Sequence, residues 1–160
     1  MQIKDIMSHP PVIAPPSSTA DEIARLMWEF DCGIVPIVGD DGRLAGVVTD
    51  RDICMAAYTQ GRPLAQIGIA SAMAKMPVAC HDTDAIEAAE ELMRVNQIRR
   101  LPVLDLENHV IGVISMNDIV RLAAHAKKSG IDRELVQTLA AVCQPRPAQR
   151  AAAADNLILA

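Results

Sequence analysis

The stretch GVVTDRDI, from Gly46 to Ile53, returns as GVISMNDI from Gly112 to Ile119. The two glycines stand 66 residues apart, and sliding the chain by that offset aligns Met7 with Met73, Pro11 with Pro77 and Val12 with Val78 without a gap. The same shift pairs Leu26 with Leu92, Pro36 with Pro102, Asp52 with Asp118 and Ile53 with Ile119. Self-similarity at a fixed period marks two copies of one supersecondary unit. A unit of roughly 60 residues hides only about 60% of its unfolded surface and is marginal alone, so two such units have a reason to pack together.

Each copy predicts the order β-α-β-β-α. A short strand is expected near Val12 and near Val78, followed by helices whose starts, Ser18-x-x-Asp21 and Asp84-x-x-Glu87, resemble capping boxes. Apolar residues then recur at helical spacing: Ile23, Leu26, Met27 and Phe30 in the first copy, Ile86, Ala89, Leu92 and Met93 in the second. Two apolar runs follow, 34–38 and 44–48 across the turn GDDG, and 101–104 and 110–114 across DLENH, each reading as a hairpin. Closing helices are expected over about 50–58 and 117–126. Gly61, Pro63 and Gly68 carry linker chemistry. The expected organisation is therefore repeat 1 at 1–60, a linker at 61–68, repeat 2 at 69–126, and a C-terminal helix from Asp132 to Val142 within a tail, 127–160, that ends flexibly.

The chain has 160 residues, 51% hydrophobic and 22% charged, with net charge -5 and three aromatics, Trp28, Phe30 and Tyr58. That removes the basic footprint and stacking platforms that nucleic acid requires. Cys32, Cys54, Cys80 and Cys143 form no CxxC pair, so neither a zinc knuckle nor a redox motif is written, and free thiols suit a reducing cytosol. The start, MQIKDIMSHPP, reaches prolines before any apolar run, and no stretch approaches the roughly 20 apolar residues of a membrane span, so a cytoplasmic protein without membrane contact is expected. No GxxxxGK[ST], GxGxxG, HExxH or GxSxG occurs. Cys80-His81 lacks an oxyanion hole, and His9, His109 and His125 are scattered. No catalytic residue, metal site or enzyme activity is expected.

Chemistry concentrates at the strand-to-helix turn of each copy, where Thr49 or Ser115 precedes Asp52 or Asp118 by three residues. A hydroxyl N-cap with an acid in the first turn satisfies orphan N–H groups and the helix dipole. The same geometry offers backbone N–H groups to an anion and a carboxylate to a ribose diol. The pattern G-h-h-[ST]-x-x-D closing a β-α-β-β-α unit, with VPIV and LPVL on the middle strands, resembles the CBS domain over residues 3–125.

The resemblance implies an α+β fold in which two CBS repeats pack as a pseudo-twofold Bateman module. Its clefts would take AMP, ADP, ATP or another adenosyl compound as a regulatory ligand, with no cofactor. Asp52 and Asp118 match the family's ribose-binding acid, and Thr49 and Ser115 the hydroxyl beside it. Val12-Ile13 and Val78-Ala79 would offer backbone groups and an apolar wall to adenine. Residues just before the strand proline are often basic in nucleotide-binding members; here copy two has Arg99-Arg100 and copy one has Gly33-Ile34. Arg binds phosphate through a bidentate fork, so the two sites are expected to be unequal, with the main one in repeat 2. The expected function is a stand-alone sensor that signals to an unfused protein target or to its own homodimer, joined through the helices after Asp52 and Asp118. The alternative is a dimerisation scaffold with degenerate clefts.

Overall fold

The first helix opens at Thr19, one residue later than the Ser18 box expected from the sequence. The Thr19 N–H donates to Glu22 Oε2 at 2.9 Å while Thr19 Oγ1 accepts from the Glu22 N–H at 3.4 Å, a reciprocal cap. Ser18 is committed elsewhere, since its carbonyl accepts the Ile69 N–H at 2.8 Å. In copy two the equivalent N-cap is Ala85, which has no side-chain cap, and Asp84 instead accepts the His81 N–H at 2.8 Å, so that box is absent.

The computed structural model describes residues 1–125 and 131–142. Repeat 1 contains α1 (Ala20–Glu29), β1 (Ile34–Val38), β2 (Leu44–Thr49) and α2 (Asp50–Gln60). Repeat 2 contains β3 (Cys80–His81), α3 (Ile86–Asn96), β4 (Arg100–Leu104), β5 (Val110–Ser115) and α4 (Met116–His125). A last helix, α5 (Ile131–Val142), packs on α3 and α4. The tail beyond residue 142 lies outside the described residues.

Both expected hairpins form, with Ile34 opposite Thr49 and Arg100 opposite Ser115. The leading strands are displaced from their expected places. The parallel partner of β1 is a single bridge at Ala14, and that of β4 is Cys80–His81, two residues beyond Val12 and Val78. Ala14 and Cys80 are buried, and pairing there turns them toward the core. Phe30 does not join the apolar stripe: it is the C-cap of α1 and 59% exposed. Even the left-handed residues repeat at the 66-residue offset. Asp31 and Gln97 follow their helices at φ 47° and 51°, and Gly42 and Asn108 close the hairpin turns at φ 77° and 66°.

The repeats exchange their first segments. Ile3 is fully buried in the core of repeat 2 with Met93, Leu101, Val103 and Ile114, whereas Ile67 and Ile69 are fully buried in that of repeat 1 with Ile23, Val35 and Val48. Ser8 pairs with Val113 through two hydrogen bonds of 2.9 and 3.0 Å, and Ala74 with Val47 through two of 3.1 and 2.9 Å. This crossing explains the glycine that opens each copy of the repeated stretch. A Cβ on Gly112 would lie 2.6 Å from Met7 Sδ, and one on Gly46 would lie 2.8 Å from the Ala74 carbonyl oxygen.

Candidate ligand site at the seam between the repeats

Arg43 of repeat 1 pairs with His109, its own counterpart 66 residues on. A residue facing its counterpart lies on the approximate twofold, so the two hairpins meet along that axis. At the far end of the hairpins the seam is made by Gly33 and Arg100. The Arg100 guanidinium occupies the space beside Gly33, with Nη2 and Cζ only 2.7 and 2.9 Å from where a Cβ would stand. The side chain thus reaches from repeat 2 onto repeat 1, and its charge acts on the neighbouring Cys32 thiol. Burial is the larger influence there and raises that thiol's pKa.

The expected site residues of repeat 2 gather at one end of its sheet. Arg100 faces Ser115 across the ladder, and the Arg99 carbonyl accepts the Met116 N–H at 2.9 Å. Extending the parallel register of Cys80 with Val103 by two residues sets the half-buried Val78 level with Leu101, with Ala79 beside it. Arg99 is exposed and Arg100 half-buried. In repeat 1 the equivalent end holds Thr49 opposite Ile34, with Val12 packed on the core and Ile13 exposed. Ile13 lines a groove of about 370 Å³ with Ser17, Ser18, Glu22 and Arg25; neither Thr49 nor Asp52 borders it.

Both strand-to-helix turns close as caps. Asp52 Oδ2 accepts the Thr49 N–H at 2.8 Å and its hydroxyl at 2.6 Å, and Asp118 Oδ2 accepts the same two groups of Ser115 at the same distances. The outer carboxylate oxygens differ. Asp118 is 5% exposed and its Oδ1 is taken by Arg121 of the next helical turn. Position 55, the counterpart of Arg121, is Met, and Asp52 Oδ1 accepts no hydrogen bond among the described residues. The sequence reading missed this difference, although Asp118 and Arg121 stand at helix-neighbour spacing.

It also missed a second cluster. Asp105, Glu107 and His109 bring ligand-type atoms within 4.8 Å of one another on the β4–β5 turn, a donor set that suits a divalent cation. Asp105 Oδ1 accepts the His109 and Glu107 N–H groups at 2.8 and 2.9 Å, and these bonds hold its carboxyl below the usual range. Cys80 is buried and its pKa is pushed up to about 12 by that burial. No helix among the described residues is long and apolar enough to cross a membrane.

Comparison with known proteins places this arrangement. The CBS domain family model matches twice, at residues 3–58 and 68–125. Hypoxic response protein 1 of Mycobacterium tuberculosis is 33% identical over 144 residues, which cover 89% of this chain and 94% of that one. Among solved structures, the CBS domain protein PAE2072 of Pyrobaculum aerophilum, complexed with AMP, superposes with a TM-score of 0.71 at 26% identity, covering 85% of this chain and 98% of that one. The CBS domain pair of protein MJ0100, in complex with 5-methylthioadenosine and S-adenosyl-L-methionine, gives 0.71 at 27% identity over 78% of this chain and 96% of that one. The chain belongs to the CBS domain family and carries two copies of the domain as a Bateman module.

Proposed function

We propose that the chain is a regulatory module that takes an adenine nucleotide or related adenosyl ligand at the seam between its repeats. It passes occupancy to its own oligomer or to a separate protein target. One observation carries this reading: in each repeat a carboxylate-bearing strand-to-helix turn lies at the same end of the sheet as the Gly33–Arg100 crossing, so a hydrogen-bond acceptor for ribose hydroxyls and a hydrogen-bond donor to phosphate share one seam. AMP in one structural neighbour, and 5-methylthioadenosine with S-adenosyl-L-methionine in another, support the adenosyl class. A ligand shifts the repeats only through contacts that differ between two arrangements, and a seam with one crossing arginine supplies such a difference.

A thermal-denaturation panel with AMP, ADP, ATP and S-adenosylmethionine tests this, because ligand binding to the native state raises the midpoint. At a hundredfold excess over Kd the stabilisation is about 2.7 kcal/mol. The reading assigns no reaction, so nucleotide turnover by the purified chain would replace it with an enzymatic one.

One observation favours a second reading, a ligand-free dimerisation scaffold: each hydroxyl, and one oxygen of each carboxylate, is already used inside its own cap. A flat panel would support it. Under both readings the homodimer forms through α2 and α4, where Tyr58 and Val120 remain exposed. Light scattering at twice 17.2 kDa is the expected result.

A further inference from the structure

Among the positions at which the two repeats differ, three fall together at the seam. Repeat 1 has Gly33 where repeat 2 has Arg99, Ile34 where repeat 2 has Arg100, and Met55 where repeat 2 has Arg121. The first two set where the cation goes. With no Cβ at position 33, the Arg100 guanidinium crosses the seam and rests on repeat 1. The third sets which ribose acceptor is open: Arg121 occupies the outer oxygen of Asp118, whereas Met55 leaves that of Asp52 alone. Asp52 is bound to Thr49, whose ladder partner is Ile34, the residue after Gly33. The available carboxylate and the crossing guanidinium therefore both lie on the repeat-1 side, at the same end of its ladder, although the arginine belongs to repeat 2.

We infer that the anionic nucleotide is held on the repeat-1 side of the seam. Asp52 receives the ribose hydroxyls, Arg100 is lent by repeat 2 for the phosphate, and Gly33 is the positioning residue that lets Arg100 cross. The inference rests on the nucleotide reading above and reverses the expected preference for the repeat-2 site. A guanidinium at the phosphate position also selects against an uncharged or cationic adenosyl ligand, because its charge finds no partner there.

Calorimetry of the full chain with AMP and with adenosine tests it, using Gly33→Ala, Asp52→Asn and Asp118→Asn. The two Asn variants retain an oxygen for the Thr49 or Ser115 cap. Gly33 has no positive φ and its neighbour is the flexible end of an arginine, so Gly33→Ala moves the guanidinium while the fold persists, which an unchanged melting midpoint checks. Asp52→Asn should weaken AMP about tenfold or more, and Asp118→Asn by less than about twofold, given the usual strength of a hydrogen bond to a charged group. Gly33→Ala should weaken AMP roughly tenfold and leave adenosine unchanged. A larger loss in Asp118→Asn than in Asp52→Asn, or equal losses of AMP and adenosine in Gly33→Ala, overturns the inference while the nucleotide reading stands. A wild-type chain that binds neither ligand overturns both.

Discussion

Replacing Gly46 by Ala tests the segment exchange directly. The added methyl would sit 2.8 Å from both the Ala74 carbonyl oxygen and Met73 Sδ, closer than real Cβ atoms approach. The sulfur can swing away, but the carbonyl belongs to a backbone fixed to Val47 by two hydrogen bonds. Relief requires moving that bridged segment. Overpacking of this kind costs about 1–3 kcal/mol, and loosening the bridge adds about 0.5–1.5 kcal/mol per hydrogen bond. Reduced freedom of the unfolded chain returns about 0.4–1 kcal/mol. The expected net loss is about 2–4 kcal/mol, or roughly 5–15 °C in melting temperature for a chain of this size. Gly112→Ala is the internal control. Its nearest neighbour is the movable Met7 sulfur, and the Ser8 carbonyl oxygen stands off at 3.1 Å, so about 1 kcal/mol is expected. Urea denaturation of both variants gives the comparison. Equal losses, or a loss below about 0.5 kcal/mol in Gly46→Ala, would refute the argument that the exchanged backbone, and not local conformation, requires the glycine.

Iodoacetamide at pH 8 should label the exposed Cys54 and spare the buried Cys80, read by peptide mass. Because folding raises the Cys80 pKa from 9.0 to about 12, its stabilisation is full below pH 9 and lost as pH rises from there toward 12; a urea midpoint that does not fall over that limb would contradict it. Asp105 has the opposite sign: its lowered pKa contributes stability above the ordinary carboxylate range that disappears as pH falls below about 4. Asp105→Asn should therefore lose less stability than wild type between pH 6 and 3, and parallel curves would refute the assignment. Arg121→Met gives repeat 2 the residue repeat 1 has at that place and frees Asp118 Oδ1 while Arg100 stays on repeat 1, so calorimetry should find a second adenosine, which needs no phosphate cation, per chain; an unchanged adenosine stoichiometry would show that Arg121 is not what closes that turn.

The topology was legible because it is periodic. One offset carried the hairpins and the Thr49/Ser115 caps from one copy to the other, and even the left-handed pairs Asp31/Gln97 and Gly42/Asn108 obey it, although the Thr19 cap has no counterpart at Ala85. The offset aligns Ile3 with Ile69 but says nothing about which core each enters, since either core would reward a buried isoleucine equally. Helix starts were legible to within a residue. Ser18 and Thr19 are both hydroxyl caps, and the choice fell to Thr19 because the Ser18 carbonyl is spent on Ile69. The caps at Thr49 and Ser115 are local, three-residue features and were visible. The Arg100–Gly33 crossing joins residues 67 positions apart in different repeats, which no local pattern encodes.

Symmetry and charge separate along this chain. The residues that fix the fold come in matched pairs: Gly46 with Gly112 where the exchanged segments pass, Thr49 with Ser115 and Asp52 with Asp118 where helices begin. The residues that set the charge of the seam do not match, as Gly33 against Arg99, Ile34 against Arg100 and Met55 against Arg121 show. A perfectly symmetric seam would present two equal clefts and bias no relative motion of the halves. An anion gripped, as inferred above, by Asp52 of one half and Arg100 of the other would tie the two repeats together on one side alone. Such a ligand favours whichever arrangement brings those two groups into reach, and its leverage is the free energy of the cross-seam contacts it gains there.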